Sequence, residues 1–508
     1  MTRLLRLSAL LVALAGASFT SACARPTTVA RGAARSDPKP STTSRNAVAL
    51  ASDETFRAAA PASEPLLPFV PPDPTERVLR NGMRVHLVER HDLPLVQVQL
   101  LVPHGTDDAR PRVGAMAMEA LLRGNRDAAG RSVRERLDAL AVGVFPWGSF
   151  DSVGVRIACA RDQLRPALAI LAEALLRPTL ETKDVEILRR ELLASLEKDA
   201  SSVAKVQEWA IRDALYPPGH PYRDVSIDRA ADLRRVTRTE LASFLASHLS
   251  PNGMTAVVAG DVTATEIEQA LEEAFGRWKG APTFRPQAPA GAPRPMPGAP
   301  RVFLVDRPDA AQTHVAVVAP ALARSSKDHA PAMVYGRILG GTASSRLFKN
   351  LREQKGLTYG VWSSIATRHG PGELIAGGAV VRDKAGIAAT EIVREIERLA
   401  AEPVTEEELA AAVAGLTREL PGRFETLASV LWLYGERPVH GLPPDELKTR
   451  GARLAAVTRE EVMRFAKTYF PKEALRIVVT GDARVVRADL EALGMGPVVV
   501  IEPVPWRR

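Results

Sequence analysis

The sequence predicts an α+β protein made of two copies of one fold, each a mostly antiparallel sheet with helices packed on one face. Three observations carry this. Two segments align without a gap: VTRTELASFLASHLSPNGMTAVVAGD from Val236 and VTREEVMRFAKTYFPKEALRIVVTGD from Val457. Each reads as a capped amphipathic helix, a loop and a buried strand ending in Gly-Asp. The start of each half repeats as well, because VHLVERHDLPLVQVQLLVP from Val85 matches VFLVDRPDAAQTHVAVVAP from Val302, with Pro103 and Pro320 in register. Between the copies, residues 281–300 (APTFRPQAPAGAPRPMPGAP) are too rich in proline for a helix or a central strand, and read as a semi-rigid linker.

The elements follow in order. MTRLLRLSALLVALAGASFTSAC opens with Arg3 and Arg6, continues with an apolar run to about Ala17 and ends in small residues. That is an export signal over 1–23, too short to span a bilayer. Cys23 stands where a bacterial lipoprotein signal places its acylated cysteine, although the usual leucine three residues earlier is missing, and Ala22-Cys23-Ala24 also fits an ordinary small-x-small cleavage site. The expected location is the periplasm or the outer membrane of a Gram-negative bacterium, with membrane contact only through a lipid anchor. Residues 24–75, rich in Ala, Pro, Ser, Thr and Arg without sustained periodicity, read as a flexible tether. The two domains then occupy 76–280 and 301–508. Each runs from strands through helices to more strands, more helices, and a last strand and helix.

Composition narrows the function classes. With 46% hydrophobic and 25% charged residues over 508 positions, the chain is globular and long enough for more than one core. The net charge of +8 is diluted over this length, without a basic stripe, so no nucleic-acid partner is expected. Two cysteines exclude a disulfide framework, and Cys159 in RIACARD reads as inert strand core.

One stretch carries chemistry. SSRLFKNLREQKGLTYGVWSS, from Ser344, reads as a short helix, a glycine stop at Gly356 and a strand. It puts Arg352 in the last helical turn and Tyr359 just past the turn, two hydrogen-bond donors with no nucleophile or metal ligand nearby. Taken singly, Arg352 suits a helix C-terminus and Tyr359 fills strand space.

With the repeat and this stretch in hand, the chain resembles the M16 metallopeptidases, the pitrilysin, insulinase and mitochondrial-processing-peptidase group. The resemblance runs from residue 76 almost to the end and rests on NGMRVHLVERHDLPLVQVQLLVPHGT after Asn81, GHPYRD from Gly219, LSPNGMTAVVAGDV after Leu249 and SSRLFKNLREQKGLTYGV. It implies an inverted HxxEH zinc motif on the first long helix, with a downstream glutamate as a further ligand. Here that helix is VGAMAMEALLRGNR from Val113 and holds no histidine; Glu119 lies within it. Glu191 matches the downstream zinc glutamate, with Asp184 seven residues earlier, but one carboxylate cannot hold zinc. His220 in GHPY is expected to order its loop. The resemblance thus implies no cofactor in this chain and zinc in a partner carrying HxxEH. Arg352 and Tyr359 would bind the substrate carbonyl and oxyanion in trans, and the substrate would be an extended peptide or small unfolded protein added as a strand to a sheet edge. The alternative is a catalytically inert scaffold or assembly subunit with the same fold.

Overall fold

The computed structural model describes residues 69–103, 113–223, 226–280, 291 and 298–501. The export signal, Cys23, most of the tether and nearly all of the proline-rich linker lie outside the described residues.

The first half forms a six-stranded sheet from β1 (Thr75–Val78), β2 (Arg84–Glu89), β3 (Leu95–Val102), β4 (Gly143–Gly148), β5 (Val153–Ala160) and β6 (Thr255–Gly260). The spatial order is β1-β2-β6-β3-β5-β4, and only β2 and β6 run parallel. The second half repeats it with β7 (Val302–Asp306), β8 (Gln312–Pro320), β9 (Thr358–Ala366), β10 (Glu373–Val381), β11 (Arg476–Gly481) and β12 (Val498–Val500), ordered β12-β7-β11-β8-β10-β9. The duplicated segments become the same element twice. The helices Arg238–His248 and Arg459–Tyr469 both start with a capping box, Thr237 with Glu240 and Thr458 with Glu461, and each leads into a strand buried along its whole length.

In each half, alternate strand residues such as Val96, Val98 and Leu100, or Val315, Val317 and Ala319, bury against that half's own helices. The opposite faces are covered by exchange. The helix Val203–Leu215 of the first half lays Val206, Trp209 and Ala210 on Val305, Ala316, Val318 and Val478 of the second sheet. The helix Leu427–His440 of the second half lays Val430, Leu431 and Tyr434 on Val88, Leu101, Val257 and Ala259 of the first. Helices on a single face therefore describe each half alone, and two-sided burial explains why β6 and β11 are apolar throughout.

A buried polar hub ties the halves together. Glu373, 1% exposed, accepts from Arg368 at 2.6 and 3.2 Å, from Arg212 at 3.2 Å and from the Tyr216 hydroxyl at 2.8 Å. The guanidiniums of Arg212 and Arg368 stack on Phe150 at 4.7 and 4.2 Å. Tyr222 donates to Asp151 at 3.0 Å and accepts from the Gly370 N–H at 2.9 Å.

Described residues ahead of the sequence boundary at 76 also pack on the folded body. Phe69 packs on Phe424 at 5.1 Å, the Pro72 carbonyl accepts from Tyr434, and Asp73 pairs with Lys448. Residues 69–75 belong to the folded unit because the second half offers them an aromatic surface and a cation.

Candidate functional site

The helix at the expected metal position, Val113–Leu121, turns Met116, Ala117, Met118, Ala120 and Leu121 into the core. Its one acidic residue, Glu119, is half-buried; burial raises its carboxyl pKa, and Arg134 lies 3.4 Å away. Glu191, on the helix Thr182–Asp199, is held by Arg123 at 2.5 and 3.3 Å, and Asp184 is gripped by both oxygens from Arg126 at 3.0 and 3.1 Å. Each carboxylate near the ligand position thus already faces a guanidinium. No group of three or more His, Cys, Asp or Glu that could hold a metal ion occurs among the described residues. The residues here do not fit zinc, which needs about three protein ligands. Sequence reading missed the arginines, although Arg123 and Arg126 follow the helix directly in LLRGNRD and were visible as a signal. A cavity of about 320 Å³ remains beside the helix, lined by Met116, Glu119, Trp147, Leu196, Asp199 and Leu233 among others.

His220 does what its loop requires. Its Nδ1 accepts from the Tyr222 N–H at 3.0 Å and its ring stacks on Tyr216 at 4.6 Å. Cys159 lies in β5 with Sγ 3.7 Å from the Val96 carbonyl, and burial pushes its thiol up to about 11, leaving it a poor nucleophile.

Arg352 and Tyr359 do come together. The expected short helix continues past its first turn as a π-helix, Phe348–Gln354, in which the Lys355 N–H reaches back five residues to Asn350 at 3.1 Å. Single π turns inside helices are uncommon and recur at functional sites. Leu347 and Leu351 point inward, and the buried Asn350 amide donates to Glu391 at 3.0 Å and Glu395 at 2.7 Å, which anchors the widened turn. Gly356, at φ +62°, ends it in the left-handed conformation glycine adopts at low cost, while the Leu357 N–H closes onto Leu351 at 2.8 Å. Arg352 is left on the outer side, its guanidinium carbon 4.6 Å from the Phe348 ring centre and 4.8 Å from that of Tyr359. Tyr359 is 84% exposed at the start of β9, a strand at the edge of its sheet that pairs with β10 alone. The pair is a solvent-facing stack of two donors beside an open strand edge.

The family profile described as "Peptidase M16 inactive domain" matches residues 235–416. An uncharacterized zinc protease of Mycobacterium tuberculosis is 27% identical over 304 residues, 59% of this chain and 68% of that protein. The non-peptidase homolog YmxG of Helicobacter pylori is 22% identical over 407 residues, 78% of this chain and 91% of its own length. Among solved structures, a peptidase M16 inactive domain from Pseudomonas fluorescens superposes with a TM-score of 0.72 at 20% identity, covering 81% of this chain and 98% of that one. A protease from Helicobacter pylori gives 0.71 at 19% identity, covering 80% and 99%.

Proposed function

We propose that this chain, which is similar to M16 peptidases and lacks HxxEH, is the exported, non-zinc subunit of a heterodimeric zinc peptidase. In this reading a partner with HxxEH holds the metal and generates the nucleophile. This chain supplies substrate-binding surface and the Arg352–Tyr359 pair. The observation that carries the reading is the exposed stack itself, since Tyr359 is 84% exposed with a guanidinium over its ring rather than filling the core. Arg352 offers a planar fork of N–H groups and stays charged, and Tyr359 offers one neutral O–H. Both suit a peptide carbonyl whose oxygen gains negative charge during hydrolysis, where one aimed donor is typically worth a few kcal/mol. The M16-type fold and the likeness to YmxG, named a non-peptidase homolog, support a chain that does not cleave peptides alone.

The test is a mixed complex with an HxxEH chain. Arg352→Ala and Tyr359→Phe should leave assembly intact and lower kcat/KM on the order of 10²- to 10³-fold. Arg352→Lys should rescue poorly, because a point charge does not reproduce the fork. If both variants retain full activity in a competent complex, the pair is not part of the site and the scaffold reading takes its place.

A further inference from the structure

Strand register places one row of side chains across the face of the first sheet turned away from that half's own helices: His86, Val257, Gln99, Arg156 and Phe145, on β2, β6, β3, β5 and β4 in turn. The helix Leu427–His440 covers the row where it packs on Val257 and Leu101, but not its far end. There Phe145 is 47% exposed, and Trp432 of that helix, 48% exposed, meets Trp147 edge-on at 5.4 Å.

Arg156 stands at this open end, outside the ion pairs that hold several of the enclosed arginines. Arg212 and Arg368 share Glu373, Arg324 has Glu446, and Arg346 has Glu408. Arg156 is half-buried, its Nε is buried without an acceptor, and no carboxylate or carbonyl meets it among the described residues. Its guanidinium carbon sits 4.7 Å over the Phe145 ring, toward the free edge of the sheet. Beside it on the same face, the amide oxygens of Gln97 and Gln99 also lack partners. Buried arginines are normally paired, because an isolated charge taken from water is costly. An arginine stacked on an aromatic face keeps its in-plane edge free, and that edge matches a carboxylate with two parallel bonds.

The neighbouring strand indicates which carboxylate. β4 is the edge strand, and Pro146, next to Phe145, has no N–H to offer a strand laid against it. Pairing along β4 is therefore interrupted at the level of Arg156.

We propose that Arg156, on its Phe145 platform, receives the C-terminal carboxylate of an extended peptide lying along β4. This rests on the peptide-binding part of the reading above and is independent of any partner's metal.

The test uses the mature chain alone, with N-terminally labelled unstructured peptides of about ten residues followed by fluorescence anisotropy. One peptide ends in a free acid, one in an amide, and one in an amide with an internal glutamate. The acid should bind about tenfold more tightly than either amide. Arg156→Gln should abolish the preference, and Arg156→Lys should keep only part of it. Because Arg156 has no carboxylate to strand, Arg156→Gln should not lower the melting temperature, whereas removing an ion-paired structural arginine would. Phe145→Leu, which keeps the charge and removes the platform, should weaken the acid preference in a folded chain. Equal binding of acid and amide, equal binding of the internal glutamate, or a preference that survives Arg156→Gln overturns the proposal while leaving peptide binding standing. Absence of binding by all three peptides overturns both.

Discussion

Replacing Glu373 with glutamine should loosen the joint between the two halves. Glu373 is 1% exposed and takes four contacts at 2.6 to 3.2 Å from Arg368, Arg212 and Tyr216. Glutamine keeps the shape and removes the charge, leaving two enclosed guanidiniums facing a neutral amide. Breaking a buried pair in this way costs about 3–5 kcal/mol. Unfolding entropy of about 2 cal/mol/K per residue, over roughly 400 described residues, turns that into a melting point lower by about 4–6 °C. Acidity gives a second reading. Burial by itself would raise the Glu373 carboxyl, but Arg212 and Arg368 outweigh it and hold it below the ordinary range. Since the unfolded chain then takes up the proton first on acidification, this contribution is present above about pH 4.5 and is lost as pH falls through the lower folded value. Differential scanning fluorimetry from pH 7 to pH 3.5 should show the Glu373→Gln variant less stable at neutral pH and converging on the wild type in acid. The exposed pair Arg165–Glu273 supplies the control, since Glu273→Gln should change little. If Glu373→Gln melts no lower than Glu273→Gln at pH 7, the hub does not hold the halves and the reasoning fails.

Two further outcomes follow from the sequence and the metal position. Metal analysis of the purified chain should find no stoichiometric zinc, and Glu191→Gln should shift stability by at most about 1 kcal/mol, as for an exposed ion pair; one zinc per chain, lost in that variant, would contradict the Arg123–Glu191 account. Mass spectrometry of the exported protein should find the first 22 to 24 residues removed, with either a diacylglyceryl Cys23 or a free Ala24 or Arg25 at the new N-terminus; a retained Met1 would sink the export proposal.

Much of the architecture was open to reading along the chain because it is encoded locally. The capping boxes at Thr237 and Thr458, the apolar strands after them and the glycine stop at Gly356 are short-range features, and duplication printed most of them twice. The lack of a histidine at the metal position is likewise a matter of residue identity, which folding cannot change. The tertiary structure decided what depends on contacts between distant segments. The sequence showed that β6 and β11 are apolar on both sides, but not that each second face is covered by a helix from the other half, because an amphipathic helix does not name its partner. It placed Arg352 near Tyr359, but the widened π turn that lays one over the other depends on Asn350 reaching Glu391 and Glu395 some forty residues away. It gave no sign that Arg156 is unpaired while Arg212 and Arg368 share Glu373. Charge pairing is settled by which side chains a fold brings within about 4 Å, and that distance is not written in the order of the residues.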